Sequence, residues 1–200
     1  MASHAGRIDP ATAQRHVDEL RAIVLGDSPV RDTYPTGPRG RGQGEHVLVL
    51  GATGYIGRAL VPELVARGLV PVVVTRSAES ASGMPDVPLV IADPVVEGSL
   101  EAAFAAYPIT ATISLLSSRR PNDPEECRRV DYDAVTNAAR TSAAHGVRRF
   151  LHVSDYGVYR PELLPQIYKL QVEGELLGGH FGALPWTVVR PTAYFPYLSV

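Results

Sequence analysis

Apolar residues in this chain recur as short runs, separated by stretches in which they return every three or four positions. His46 to Leu50, Val70 to Thr75, Pro88 to Ala92, Ile109 to Leu116, Arg149 to Ser154 and Trp186 to Val189 have the length and β-branched content of buried strands. Between them, Arg58 to Arg67 puts Leu60, Val61, Leu64 and Val65 on one helical face before Gly68 ends it. Ser99 to Tyr107, Pro124 to His145 (closed by Gly146) and Glu162 to Leu177 read as further helices, whereas Ser77 to Asp86 is small and polar and reads as a loop with little helix. Strands that alternate with helices imply parallel pairing through right-handed crossovers. The expected fold is therefore α/β: a doubly wound parallel sheet in the strand order 3-2-1-4-5-6, with helices on both faces and the ligand at the carboxyl ends of the strands.

Residues 1–44 are expected to stand apart from a domain over 45–200. Asp9 to Gly26 reads as an amphipathic helix with Pro10 in its first turn and Val17, Leu20 and Val24 on one face. Arg31 to Gly44 is rich in Pro and Gly and aperiodic, the pattern of a flexible linker whose three arginines are solvated. At the other end, Val200 stands about ten residues beyond the sixth strand, which leaves little chain for a substrate region.

Charge and composition narrow the function classes. A formal net charge of -2 gives no basic footprint for nucleic acid or for an anionic membrane, and no apolar run approaches the length of a membrane span. One cysteine, Cys127, excludes an internal disulfide and fits a reducing compartment. Six histidines and that cysteine show no ligand spacing, so no metal is expected. The first 45 residues carry Asp9, Asp18, Glu19, Asp27, Asp32 and Glu45, more acid than a transit peptide usually holds. The expected compartment is the cytoplasm, or a plastid in a photosynthetic eukaryote.

The candidate chemistry begins at EHVLVLGATGYIG, residues 45–57. A strand runs into Gly51, Gly54 and Gly57, and a helix follows. That is the context a dinucleotide requires: a tight turn, a close backbone approach to pyrophosphate, and a helix N-terminus to receive negative charge. Thr53, Tyr55 and Ile56 lie between the glycines and share the predicted contact. About 20 positions on, where an acidic residue would favour NAD, stand Arg76 and Ser77. A guanidinium and a hydroxyl suit a 2′-phosphate, so the expected cofactor is NADPH; Glu79 is the one nearby carboxylate that would support NAD instead. Asp93 stands where the adenine edge would lie, although an Asp-Pro turn accounts for it equally well. Ser114, Ser117, Ser118 and Arg119 close the fourth strand beside the expected ribose and nicotinamide.

Of nineteen basic residues only Lys169 is lysine. It follows Ser154 by fifteen positions, where an ammonium can hold ribose hydroxyls and lower the pKa of a hydroxyl donor. Ser154 and Lys169 are the candidate catalytic residues, and His152, inside the fifth strand, reads as a satisfied core histidine.

These residues resemble the short-chain dehydrogenase/reductase superfamily, carried by GATGYIG, Ser154 and Lys169. They are most similar to its atypical branch and there to divinyl chlorophyllide 8-vinyl reductases. The likeness rests on residues 51–58 (GATGYIGR), Arg76, residues 114–119 (SLLSSR), Asp131-Tyr132-x-Ala134, Ala144-x-Gly146-Val147-Arg148, the Lys169 helix with Glu173 and Glu175, and residues 189–195 (VRPTAYF). It implies NADPH-dependent reduction of a vinyl group on a tetrapyrrole, a small-molecule substrate, with Pro191 and Thr192 lining the nicotinamide pocket. The superfamily's usual tyrosine, four residues before the lysine, is Pro165 here, and Tyr168 points about 100° away around the helix. Two other readings remain open: a non-catalytic NADP(H)-binding sensor or assembly factor resembling the NmrA-like group, and a sugar-nucleotide epimerase of the extended branch.

Overall fold

The computed structural model describes residues 44–192. The predicted helix over 9–26, the linker before Gly44 and the tail of the 189–195 segment lie outside the described residues. Among the described residues there are six strands: β1 (His46–Leu50), β2 (Val70–Thr75), β3 (Leu89–Ile91), β4 (Ile109–Ser114), β5 (Arg149–Val153) and β6 (Trp186–Val189). They form one sheet in the order β3-β2-β1-β4-β5-β6, as the alternation of runs predicted. Every pairing is parallel.

The helices are α1 (Tyr55–Ala66), α2 (Glu101–Ala106), α3 (Pro124–Cys127), α4 (Ala134–Ala144) and α5 (Leu164–Leu177). The expected single helix over 124–145 is interrupted. Between α3 and α4, residues Arg128–Asp133 form a π-helical turn, a local widening by one residue that rotates the side chains after it. The loop after β2 holds only a short 3₁₀ turn at Glu79–Ala81, as its small polar residues suggested.

Two cores sit on the two faces of the sheet. On one, Leu48, Leu50, Val72, Val74 and Phe150 meet Leu100 and Ala103 of the α2 region, Val135 and Ala138 of α4, and Val172 and Leu176 of α5. On the other, Val47, Val49 and Val73 meet Val61 and Leu64 of α1, with Met84 and Val87 packed at the margin. The crossover from β2 to β3 supplies no full helix to that second face. Leu89 and Ile91 on β3 consequently stay 41% and 58% exposed.

Candidate functional site: a glycine-lined cleft and a buried lysine

The turn after β1 is shaped by what cannot fit there. Gly51 has φ +77°, and a Cβ on it would lie 2.9 Å from the backbone of Leu115; a Cβ on Gly57 would come within 2.3 Å of the Ala52 carbonyl oxygen. Gly54 is the N-cap of α1 and has no side chain to occupy the helix's first turn. That end of the dipole is left for an anion. Arg58 then ties the turn to the loop after β2: Nε donates to Thr53 O at 3.2 Å, and the two terminal nitrogens donate to Ser82 O at 3.1 Å and Ser80 O at 3.0 Å. Three of its five N–H donors are thus engaged by backbone carbonyls.

A cavity of about 790 Å³ opens over this turn at the carboxyl ends of the strands. Gly51, Thr53, Gly54, Arg76, Asp93 and Ser117 all line it, so six of the candidate nucleotide contacts, drawn from four strand ends, converge on one cleft. Arg119 and Arg129 border the same space. The Asp93 carboxylate accepts from Val95 N at 3.1 Å, so it closes an Asp-Pro turn and borders the cleft as well. Ser77 faces Ser80, with 3.1 Å between their hydroxyl oxygens.

Lys169 lies behind that cleft. Its Nζ donates to Leu116 O at 3.0 Å and to Val153 O at 3.2 Å, and Leu116 is itself a wall of the cleft. Asp131, fully buried in the π-turn, puts Oδ1 3.5 Å from the ammonium and accepts from Ser118 N through Oδ2 at 3.2 Å. Burial pushes the lysine pKa down, and Asp131 opposes it; burial pushes the Asp131 carboxyl up, and Lys169 opposes that. Asp131 Oδ1 makes no hydrogen bond beyond that ion pair, and around the pair Ser114 Oγ, Ser154 Oγ and both ring nitrogens of His152 are likewise buried with no hydrogen-bond partner among the described residues. His152 is a core histidine, but the expectation that it is satisfied is corrected: its cross-strand neighbour is Ser114, and neither ring nitrogen is met. Burial, with the nearby Lys169 charge, pushes its pKa well below the usual range, so the ring is neutral.

Residues 51–195 match the model of a family described as NAD(P)H-binding. The chain belongs to the NAD(P)H-binding family. Its curated relatives include proteins named divinyl chlorophyllide a 8-vinyl-reductase, chloroplastic: that of Oryza sativa subsp. indica is 35% identical over 166 residues, 76% of this chain and 41% of the relative. That of Arabidopsis thaliana is 29% identical over 171 residues, 77% of this chain and 40% of the relative. The chain thus spans about two fifths of those proteins, and the likeness read from its segments is borne out. Among solved structures, the Bordetella bronchiseptica enzyme WbmG in complex with NAD superposes with TM-score 0.65 at 20% identity, over 76% of this chain and 55% of that one. A putative NAD-dependent epimerase/dehydratase from Bacillus halodurans superposes with TM-score 0.61 at 25% identity, over 74% and 71%.

As a member of the NAD(P)H-binding family, the chain divides its candidate residues into two groups. The cleft gathers the glycine turn, Arg76, Asp93 and Ser117, whereas Ser154 and Lys169 sit behind its wall. Pro191 is joined to the loop after β5 through its carbonyl, which accepts from Tyr156 N at 3.0 Å; neither it nor Thr192 lines the cleft. Two buried acids, Asp131 and Glu173, escaped the reading of the sequence as site residues. The signal was present: Asp131 falls four residues after Cys127 and four before Val135, on the apolar stripe of its helical segment, and Glu173 falls one turn after Lys169. No helix among the described residues is long and apolar enough to cross a membrane.

Proposed function

We propose that this chain is the nucleotide-binding part of an NADPH-dependent reductase that saturates a carbon–carbon double bond, most concretely the 8-vinyl group of a divinyl chlorophyllide-type tetrapyrrole. The observation that carries the cofactor choice is Arg76, which borders the glycine-lined cleft while Glu79, the next carboxylate after β2 in sequence, does not. A guanidinium there attracts a 2′-phosphate, and a carboxylate there would repel it. The substrate class follows from the names of the relatives and from the segments shared with them.

The residues fit the cofactor. Gly51 makes the tight turn against Leu115, Gly57 lets α1 pack against Ala52, and Gly54 leaves the backbone open to the pyrophosphate at the first turn of α1; Arg76, with Ser77 beside it, is assigned to the 2′-phosphate. Asp93 borders the adenine and Ser117 the ribose; the likeness to the vinyl reductases, not the lining of the cleft, assigns Pro191 and Thr192 to the nicotinamide end. When bound, NADPH supplies a hydride to one vinyl carbon, and a proton completes the other, giving an ethyl group and NADP⁺. Lys169, behind the cleft wall, fixes the local positive charge at the nicotinamide end, and Ser154 is assigned as the hydroxyl through which a proton can pass.

Calorimetric titration of the chain with NADPH and NADH, repeated on Arg76→Glu, tests the cofactor. NADPH should bind at least about tenfold more tightly than NADH, a difference of about 1.4 kcal/mol, and the variant should lose that margin. Equal affinities would sink the assignment. The substrate is tested on the full-length gene product with NADPH and divinyl chlorophyllide, where an unchanged pigment absorption spectrum counts against the vinyl group.

A second reading, a non-catalytic NADP(H)-binding protein, is favoured by one observation: the position of the superfamily's tyrosine is the buried Pro165 in the first turn of α5, which carries no hydroxyl. It requires similar affinity for the oxidised and reduced nucleotide and no turnover.

A further inference from the structure

Lys169 is the single lysine of the chain, and it is buried. An ammonium taken out of water is costly, and two neutral carbonyls do not replace its hydration. Lys169 has those two carbonyls, Leu116 O and Val153 O, and beyond them the carboxylate of Asp131 at 3.5 Å. The side chain of Lys169 is 5% exposed and that of Asp131 is not exposed at all, so solvent does little to screen the pair.

Asp131 holds more than the ammonium. Through its other oxygen it takes the Ser118 backbone N–H, next to Ser117, which enters the cleft. One carboxylate in the π-turn therefore joins the lysine behind the cleft to the loop that walls it.

The remaining ionisable groups around Lys169 come from each neighbouring element. His152 on β5 is neutral and supplies no countercharge. Asp155, after β5, favours the charged ammonium from farther away, as does Glu173 on α5. Glu173 is already bound to Arg190, and Asp155 accepts from Gly157 N at 2.6 Å. Cys127 on α3 lies near Asp131 with its thiol pushed up by burial, and so stays protonated.

We propose that Asp131 is a positioning residue that acts on the bound nucleotide through Lys169: its carboxylate keeps the ammonium charged and fixed against the back of the cleft. The proposal rests on the NADP(H) reading of that cleft. An alternative in which Asp131 merely ties down the loop at Ser118 predicts no effect on the charge of Lys169.

The single lysine makes the test direct. Protein grown with lysine carrying ¹³C at Cε gives one lysine resonance, and its shift reports whether Nζ is protonated. Asp131→Asn keeps an acceptor for Ser118 N and removes the charge. In the wild type the resonance should be that of an ammonium through neutral pH. In Asp131→Asn its transition should move to lower pH, and NADPH affinity measured by calorimetry should fall about tenfold or more on the alkaline side of that transition. Asp131→Glu should restore both. A transition unmoved in Asp131→Asn overturns the proposal. If the Asn variant does not fold, Asp131→Ala and the wild type carry the test: a neutral amine at pH 7 in the wild type, or a transition unmoved in Asp131→Ala, overturns the proposal. Absence of NADPH binding by the wild type would overturn the nucleotide reading instead, and the resonance would still report on the pair.

Discussion

Arg190, just past the end of β6, grips the buried carboxylate of Glu173 on α5: Nε lies 3.1 Å from each carboxylate oxygen, and one terminal nitrogen donates to Oε2. The other terminal nitrogen donates to Tyr159 Oη at 2.7 Å, and the guanidinium lies 4.8 Å from the centre of that ring. Glu173 is one helical turn from Lys169, and Arg190 directly precedes Pro191 and Thr192. A single fork of hydrogen bonds thus sets the approach of the last strand to the helix that carries the lysine.

Breaking that fork from the helix side leaves Arg190 without its carboxylate. Glu173→Gln should cost roughly 2 to 3 kcal/mol, below the usual cost for a fully buried pair because a quarter of the Arg190 side chain is in water. Urea denaturation of the two proteins at neutral pH measures it. A loss below about 0.5 kcal/mol would mean that the pair behaves like a surface contact.

Glycines in this chain differ in what they must avoid, and the difference is testable. Gly57→Ala would drive a Cβ to 2.3 Å from the Ala52 carbonyl, where no flexible side chain can yield. We expect a loss of about 4 kcal/mol or more. Gly98→Ala meets nothing within 4 Å and pays only for its φ of +76°, about 1 to 2 kcal/mol. Thermal melts of both variants should separate them clearly; equal destabilisation would remove the packing explanation.

His152 should make the fold sensitive to acid. Its folded pKa is depressed, chiefly by burial and then by Lys169. In the unfolded chain the ring protonates near pH 6.5, and in the folded state it does not. The unfolded state therefore binds the extra proton below that pH, and stability falls as pH drops, by up to about 1.4 kcal/mol per pH unit. His152→Leu removes this contribution and also a buried ring with no partner among the described residues. It should be more stable than wild type by about 1 kcal/mol at pH 7.5, with a margin that widens at pH 5.5. Urea midpoints at the two pH values check this, and a margin that stays constant would show that His152 is not the titrating group.

Much of the molecule is legible in the sequence itself. Hydrophobic runs of strand length, alternating with helical spacing, determined the order of elements, and the glycine turn after the first strand selected, among doubly wound sheets, the order that is observed. The glycine turn was legible because its requirement is local: strand, turn and helix are contiguous in the chain, and each glycine answers a steric demand within a few residues. Arg76 and Asp93 were legible for a related reason, since a residue at the carboxyl end of a strand in this topology has only one cleft to face.

Tertiary structure alone decided the rest. That Lys169 meets Asp131, 38 positions away in sequence, depends on the Lys169 helix packing against the π-turn that carries the carboxylate; periodicity reports that Asp131 is buried and not which charge it meets. The same holds for Arg190 and Glu173, whose pairing required β6 to dock beside β5. His152 looked like an ordinary core residue because alternation along a strand reports burial, whereas satisfaction depends on what the neighbouring strand presents, here a serine with an unmet hydroxyl of its own. Local sterics and periodicity act through the sequence directly; the pairing of buried charges acts only once distant segments have been brought together.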